Sequence, residues 1–156
     1  MTASKDLDLS VDALKKDLAA AASRLDVKIT TRSEQHATAS ARVSTTRTHH
    51  IALAKATPVR ARFVKQGWAE LAKKVFVKEV EVGDESFDDA VYIATDTQDA
   101  VRTLLGSTRV REALVALAGK DCIVDVGGSE LTVTHPEAFG EPDDEIAEAL
   151  ALAAHL

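Results

Sequence analysis

Cys122-Ile123-Val124-Asp125-Val126-Gly127-Gly128-Ser129-Glu130-Leu131-Thr132-Val133 reads as two short strands joined by a tight turn. Cys122, Val124 and Val126 alternate with Ile123 and Asp125, and Leu131 and Val133 alternate across Thr132. That is the period-two pattern of strands with one face turned inward. Gly127-Gly128 tolerates the positive φ that a two-residue hairpin turn demands. An antiparallel hairpin built on local contacts points away from parallel βαβ units. The expected class is α+β: an antiparallel sheet, a meander plus this C-terminal hairpin, with helices packed mainly on one face.

Working upstream, Gly83-Asp84-Glu85-Ser86-Phe87-Asp88 reads as an acidic turn. A strand over Ala90–Ala94 follows. Phe87 is one of six aromatic residues in the chain, so a core role is expected for it. Asp84 and Asp88 have the short carboxylates that accept from backbone N–H groups in turns. Thr95-Asp96-Thr97-Gln98 matches a capping box, opening a helix that buries Val101, Leu104 and Leu105. A second helix carries Val110, Leu114 and Leu117, with Gly119 as its terminator. A last helix, capped by Asp143 or Asp144, buries Ile146, Leu150 and Ala153.

The N-terminal half gives a helix from Ser10 to Leu25, with a stripe of Val11, Leu14, Leu18 and Leu25 at helical spacing. Period two then begins at Val27 and Ile29 and returns at Ala37, Ala39, Ala41 and Val43. Turns are expected at Ser33–His36 and at Arg47–His50, with a third strand at Ile51–Leu53. Three strands in succession make the meander. Trp68, Leu71, Ala72 and Val75 make a short helix, passing into a strand through Phe76, Val80 and Val82.

Gly83-Asp84-x-x-Phe87-Asp88, the strand to Thr95-Asp96, Val101-x-x-Leu104-Leu105, Val110-Arg111-x-x-Leu114 and Val124-Asp125-Val126-Gly127-Gly128 together form a recognisable series. It resembles an uncharacterised group of bacterial proteins. In that group a Gly-Asp-x-x-Phe-Asp turn precedes a strand, two short helices and a Val-Asp-Val-Gly-Gly hairpin. The resemblance spans residues 82–134, about a third of the chain. It implies architecture for Gly83, Asp84, Phe87 and Asp88, and no transferable activity. Such proteins often carry membrane segments upstream, and no such segment is evident in this sequence.

Composition bounds the function. The chain has 156 residues, enough for a single globular domain over 1–156 that buries roughly two thirds of its unfolded surface. No window approaches the about 18 apolar residues of a membrane span, and no secretory signal is recognisable; the expectation is a soluble, cytoplasmic protein. Cys122 is the one cysteine, which excludes an internal disulfide and a cysteine-rich zinc cage. No phosphate-binding loop, dinucleotide fingerprint, nucleophile elbow or zinc-protease helix is present. The acidic run Asp84–Asp89 is out of phase with a calcium loop.

His49 and His50 point to opposite faces of any strand, so they do not chelate together. His36 opposite His50 across a hairpin would supply two imidazoles, short of the three or four ligands zinc takes. Turn-exposed histidines are expected. Cys122 falls on the inner face, inert without an activating base, with His135 placed apart from it. No catalytic residue, cofactor or metal is expected.

The net charge of −6 is unevenly spread. Between Val27 and Gln66 eight cations (Lys28, Arg32, Arg42, Arg47, Lys55, Arg60, Arg62, Lys65) face Glu34 alone, a net +7; the remainder, with 11 basic and 24 acidic residues, carries −13. Lys28, Arg32, Arg42, Arg60 and Arg62 therefore define a candidate interaction surface. Sheet-based nucleic-acid readers also need exposed aromatics, and Phe63 is the one aromatic here, in phase with apolar Val59 and Ala61. An acidic protein partner or a second copy is thus favoured over nucleic acid. The expected function is a non-catalytic interaction or scaffold domain. The alternative is a small-molecule-binding or enzymatic domain with a site assembled from residues distant in sequence.

Overall fold

The computed structural model describes residues 8–37, 42–76, 78–137 and 140–156. Ser10 caps helix α1 (Val11–Lys16) by accepting from the Ala13 N–H. The single helix expected to Leu25 is instead two. Asp17 is extended, and its carboxylate accepts from the Ala20 N–H to start α2 (Leu18–Arg24). A short side-chain acceptor competes with helical bonding and favours a cap over a helix interior.

Strands β1 (Lys28–Ala37) and β2 (Val43–Ala52) pair antiparallel in unbroken register, from Lys28↔Ala52 to Ala37↔Val43. Both turns expected here are strand instead. Ser33–His36 lies in a ribbon exposed on both faces, where no apolar alternation is required to make a strand. Arg47–His50 looks like a turn because it is polar, yet Arg47 and His49 point into the protein. Residues 38–41, which carry Ala39 and Ala41 of the expected strand, lie outside the described residues.

β3 (Ala61–Lys65) follows, then a single 3-10 turn (Gln66–Trp68), α3 (Ala69–Lys73) and β4 (Lys78–Glu79). The strand expected through Val82 is thus reduced to two residues. The acidic turn proves to be a short helix, α4 (Glu85–Ala90), leading directly into β5 (Val91–Thr95). α5 (Gln98–Leu104) and α6 (Thr108–Gly119) come next. The capping box is not formed. Thr95 is buried at the end of β5, where its hydroxyl donates to the Arg60 carbonyl and accepts from the Thr97 N–H. Gly119 is the last residue of α6, and Asp121 (φ 61°) takes the left-handed position expected of a glycine.

The hairpin is β6 (Ile123–Gly127) and β7 (Glu130–His135), with Gly128 at φ 60°. Helix α7 (Pro142–Ala153) follows; proline in its first turn gives up an N–H that has no helical acceptor.

Among the described residues seven strands form one antiparallel sheet in the order β1-β2-β7-β6-β3-β5-β4. The simple meander is therefore corrected: Ile51 is part of β2 rather than of a third strand, Leu53 lies outside any strand, β2 is flanked by β1 and β7, and β3 lies on the far side of β6. Phe63, Ile93, Val124, Val126, Leu131 and Val133 face one side and pack with Phe87, Val101, Leu104, Leu114, Leu117, Ala149 and Leu152. α4–α7 thus cover the inner face. α1 and α2 pack on the back of this helical layer, where Leu14, Ala21 and Ala22 meet Ala113, Ala147, Leu150 and Ala151. On the outer face α3 covers only Val64, Tyr92 and Ala94. The β1–β2–β7 end of that face has no described helix packed on it. No described helix is long and apolar enough to cross a membrane.

Candidate functional site

Two places gather polar side chains from separated parts of the sequence. The first is buried. Following the inward parity of Ile51 back along β2 leads to His49 and then Arg47. Following Leu131 and Val133 forward along β7 leads to His135. Following Val126 and Val124 back along β6 leads to Cys122. Glu145, one helical stripe with Ala149 and Leu152 of the core, descends from α7 into this group.

Glu145 is 1% exposed and His49 is 0% exposed. Arg47 grips the carboxylate with two bonds, Nε to Oε1 at 3.3 Å and Nη2 to Oε2 at 2.5 Å. His49 Nε2 lies 2.9 Å from Oε1 and His135 Nδ1 lies 3.1 Å from Oε2. Burial pushes the Glu145 carboxyl upward. The bonds from His49, Arg47 and His135, with the Arg47 charge, outweigh that and bring it down to about 2. The Thr31 hydroxyl lies 2.9 Å from His49 Nδ1. Hydrogen on Nε2 lets the ring donate to Glu145 and accept from Thr31 at once.

Thr31, His49 and Glu145 stand in the hydroxyl–imidazole–carboxylate order of a nucleophile relay. Here, however, the carboxylate is already neutralised by Arg47, and Arg47, His49 and Glu145 are all buried. Ligand atoms of Cys122, His135 and Glu145 lie within 4.8 Å of one another. As a metal cage the trio is poorly arranged. Both carboxylate oxygens already take two donors each, an arginine cation sits beside them, and the thiol must ionise. Burial, with the Glu145 charge, pushes the Cys122 thiol up to about 12. The arrangement does something simpler: it ties α7 to β2 and β7 through a satisfied ionic network. The expectation of a turn-exposed histidine is thus corrected for His49, which is buried in β2, and Cys122 and His135, expected apart, are neighbours. His36 does not face His50; it pairs with Ser44, and His50 with Thr30.

The second place is the bare outer face. Of the cations from the basic stretch, Arg62 pairs with Asp125 (2.6 Å), Arg60 with Asp96 (3.2 Å), and Lys65 with Asp121 (2.8 Å). With Arg47 on Glu145, four of the eight are neutralised by carboxylates of the acidic remainder. Arg42 is exposed just before β2, at the far end of the ribbon from Lys28. Lys28 and Arg32 differ from the paired cations: neither has an ion-pair partner among the described residues. They lie on one face of β1, four residues and about 13 Å apart. With Thr30, His50, Ala52, Gly127, Ser129 and Glu130 they rim an open hollow of about 540 Å³. His50 Nδ1 meets Glu130 at 2.8 Å on its floor.

The structure therefore brings Lys28 and Arg32 together and disperses Arg42, Arg60 and Arg62. The turn residues behave as architecture. Phe87 is 2% exposed, Asp84 accepts from the Phe87 N–H at 3.4 Å, and Asp88 accepts from the Val82 and Gly83 N–H groups at 2.9 Å each. Gly83 has φ 90°, a conformation that suits glycine. Comparison of the chain with protein-family models, with curated proteins and with solved structures finds no match in any of the three.

Proposed function

We propose that this protein is a non-catalytic interaction domain whose contact surface is the β1–β2 end of the sheet. One observation carries the reading. β1 is an edge strand of ten residues, paired on one side only, without a bulge, and exposed along all but one of its positions. Its outward backbone groups are a ready template for another extended segment. Lys28 and Arg32, the two uncompensated cations of that strand, give the template a preference for an acidic partner. Among the described residues the outer face offers no exposed aromatic platform beside them, which favours an acidic protein segment over nucleic acid.

The buried Glu145 group supports the same reading from the other direction. Its strongest polar side chains are buried and bound to one another, whereas a site for chemistry needs a group in contact with its substrate.

The test is fluorescence anisotropy with a labelled extended peptide of alternating Glu and Val. Binding should be present at low ionic strength, weaken as salt rises and be lost in a Lys28→Glu/Arg32→Glu variant of unchanged melting temperature. Binding that survives the double reversal, or preference for single-stranded nucleic acid over the peptide, would contradict the proposal.

A further inference from the structure

The strand that offers itself as a template also carries its own complement, so we propose that the partner of β1 is β1 of a second copy of this chain. This rests on the reading that the β1 end is the contact surface. Two copies related by a two-fold axis perpendicular to the sheet pair their edge strands antiparallel, and residues of like parity then meet. Two such registers use most of the strand. Centred on Arg32, the arrangement sets Arg32 against Arg32 of the second copy and Lys28 against His36. Centred on Ser33, it sets Arg32 against Glu34 twice, once on each side of the axis, with Thr30 against His36, Thr31 against Gln35 and Ile29 against Ala37.

Opposite charges directly across a ladder stabilise it and like charges destabilise it. The charge pattern of β1 therefore selects the Ser33-centred register. Glu34, the one carboxylate in the basic stretch, stands where a second copy's Arg32 needs it. Glu34 lies 3.8 Å from His36 on its own strand and makes no bond to a cation of β2, so the carboxylate is within reach of the second copy.

Sterics agree. Helices pack at the start of β1, where Val27 and Ile29 meet the α1–α2 cluster. From Thr30 to Ala37 the strand is exposed. In the antiparallel pair the start of one β1 lies beside the bare far end of the other, so the two helical layers sit at opposite ends. The product is a continuous fourteen-stranded sheet, twice the seven strands of one chain. The contact is small, backbone-rich and polar, which places it among weak, concentration-dependent dimers.

The test is sedimentation equilibrium of the whole chain over a range of concentrations. The unaltered protein should pass from monomer to dimer as concentration rises. Arg32→Glu should weaken the dimer about tenfold or more, since two attractive pairs become repulsive. The swapped variant Arg32→Glu/Glu34→Arg should restore it, because the cross-strand pairs return with their signs exchanged. Ser33→Lys should weaken it too, by placing two cations on the axis. Melting temperatures of all three variants show that the fold is kept. A protein that stays monomeric at every concentration, or a swap that fails to rescue, overturns the proposal. Binding of the acidic peptide by such a monomer would leave the broader interaction reading in place, and loss of both would remove the two together.

Discussion

Glu145 is the residue on which the interior most depends. Its carboxylate takes four hydrogen bonds in a setting that excludes water, so the charge is tolerable only while its donors remain. Glu145→Gln leaves the Arg47 guanidinium buried without a counter-charge and should cost about 3–5 kcal/mol in urea unfolding. Replacing Arg47 and Glu145 together by apolar residues should cost less than either single change, because no charge is then stranded. The acid limb follows from the same bonds. A carboxyl lowered from 4.5 to about 2 on folding contributes stability that is fully present above pH 4.5. That contribution, about 3 kcal/mol, is lost as pH falls toward 2. Unfolding curves measured between pH 6 and pH 2 should lose stability across this window, and the loss should be smaller in the Arg47/Glu145 double replacement. Cys122 gives an independent check. With its thiol pushed up to about 12 and no exposure, native protein at neutral pH should resist iodoacetamide, labelling only at the rate of unfolding; prompt labelling would mean the cluster opens to solvent.

At the scale of elements, the decisive unit is the Val82–Thr95 segment. Phe87 fills the space under α6, and its loss should cost about 3–5 kcal/mol, as for other buried phenylalanines. Asp88→Ala removes the acceptor for two N–H groups that sit near solvent, so about 0.5–2 kcal/mol is expected from thermal melts. The acidic turn proves to be helix α4, but the strand that ends this segment, the β6–β7 hairpin and the paired helices α5–α6 were legible in the sequence because local chemistry and apolar period agreed there. The β1–β2 ribbon was not. In its outer half neither face is buried, so Ser33–His36 bears no apolar period, and its polar run resembles a turn. The Arg47–His50 error has the opposite cause. Its polar side chains are buried, and hydropathy does not distinguish a polar residue facing a buried carboxylate from one facing water. The parity of Ile51, Leu131 and Val126 held the information: extended by two or four residues it places Arg47, His49, His135 and Cys122 on the inner face. Glu145 completes the group only once α7 is laid across β2 and β7, a long-range fact that no local pattern carries.

For the whole molecule, the uneven charge of the chain is largely an internal matter. The basic stretch and the acidic remainder meet in the fold as Arg47–Glu145, Arg60–Asp96, Arg62–Asp125 and Lys65–Asp121. What survives on β1 is narrower than the sequence suggested, namely two cations on an edge strand with one carboxylate between them and the strand's free end. That remnant of the pattern, together with an edge strand paired on one side only, supports β1 as the proposed contact surface. Amide hydrogen exchange along β1, read residue by residue in dilute and in concentrated protein, tests this most directly. In dilute solution those amides between Ile29 and Ala37 that point away from β2 should exchange freely, and at high concentration they should become protected, in alternation along the strand, while protection elsewhere in the sheet stays the same. Protection in β1 that does not respond to concentration or to the acidic peptide, or a response centred on another surface, would contradict the account.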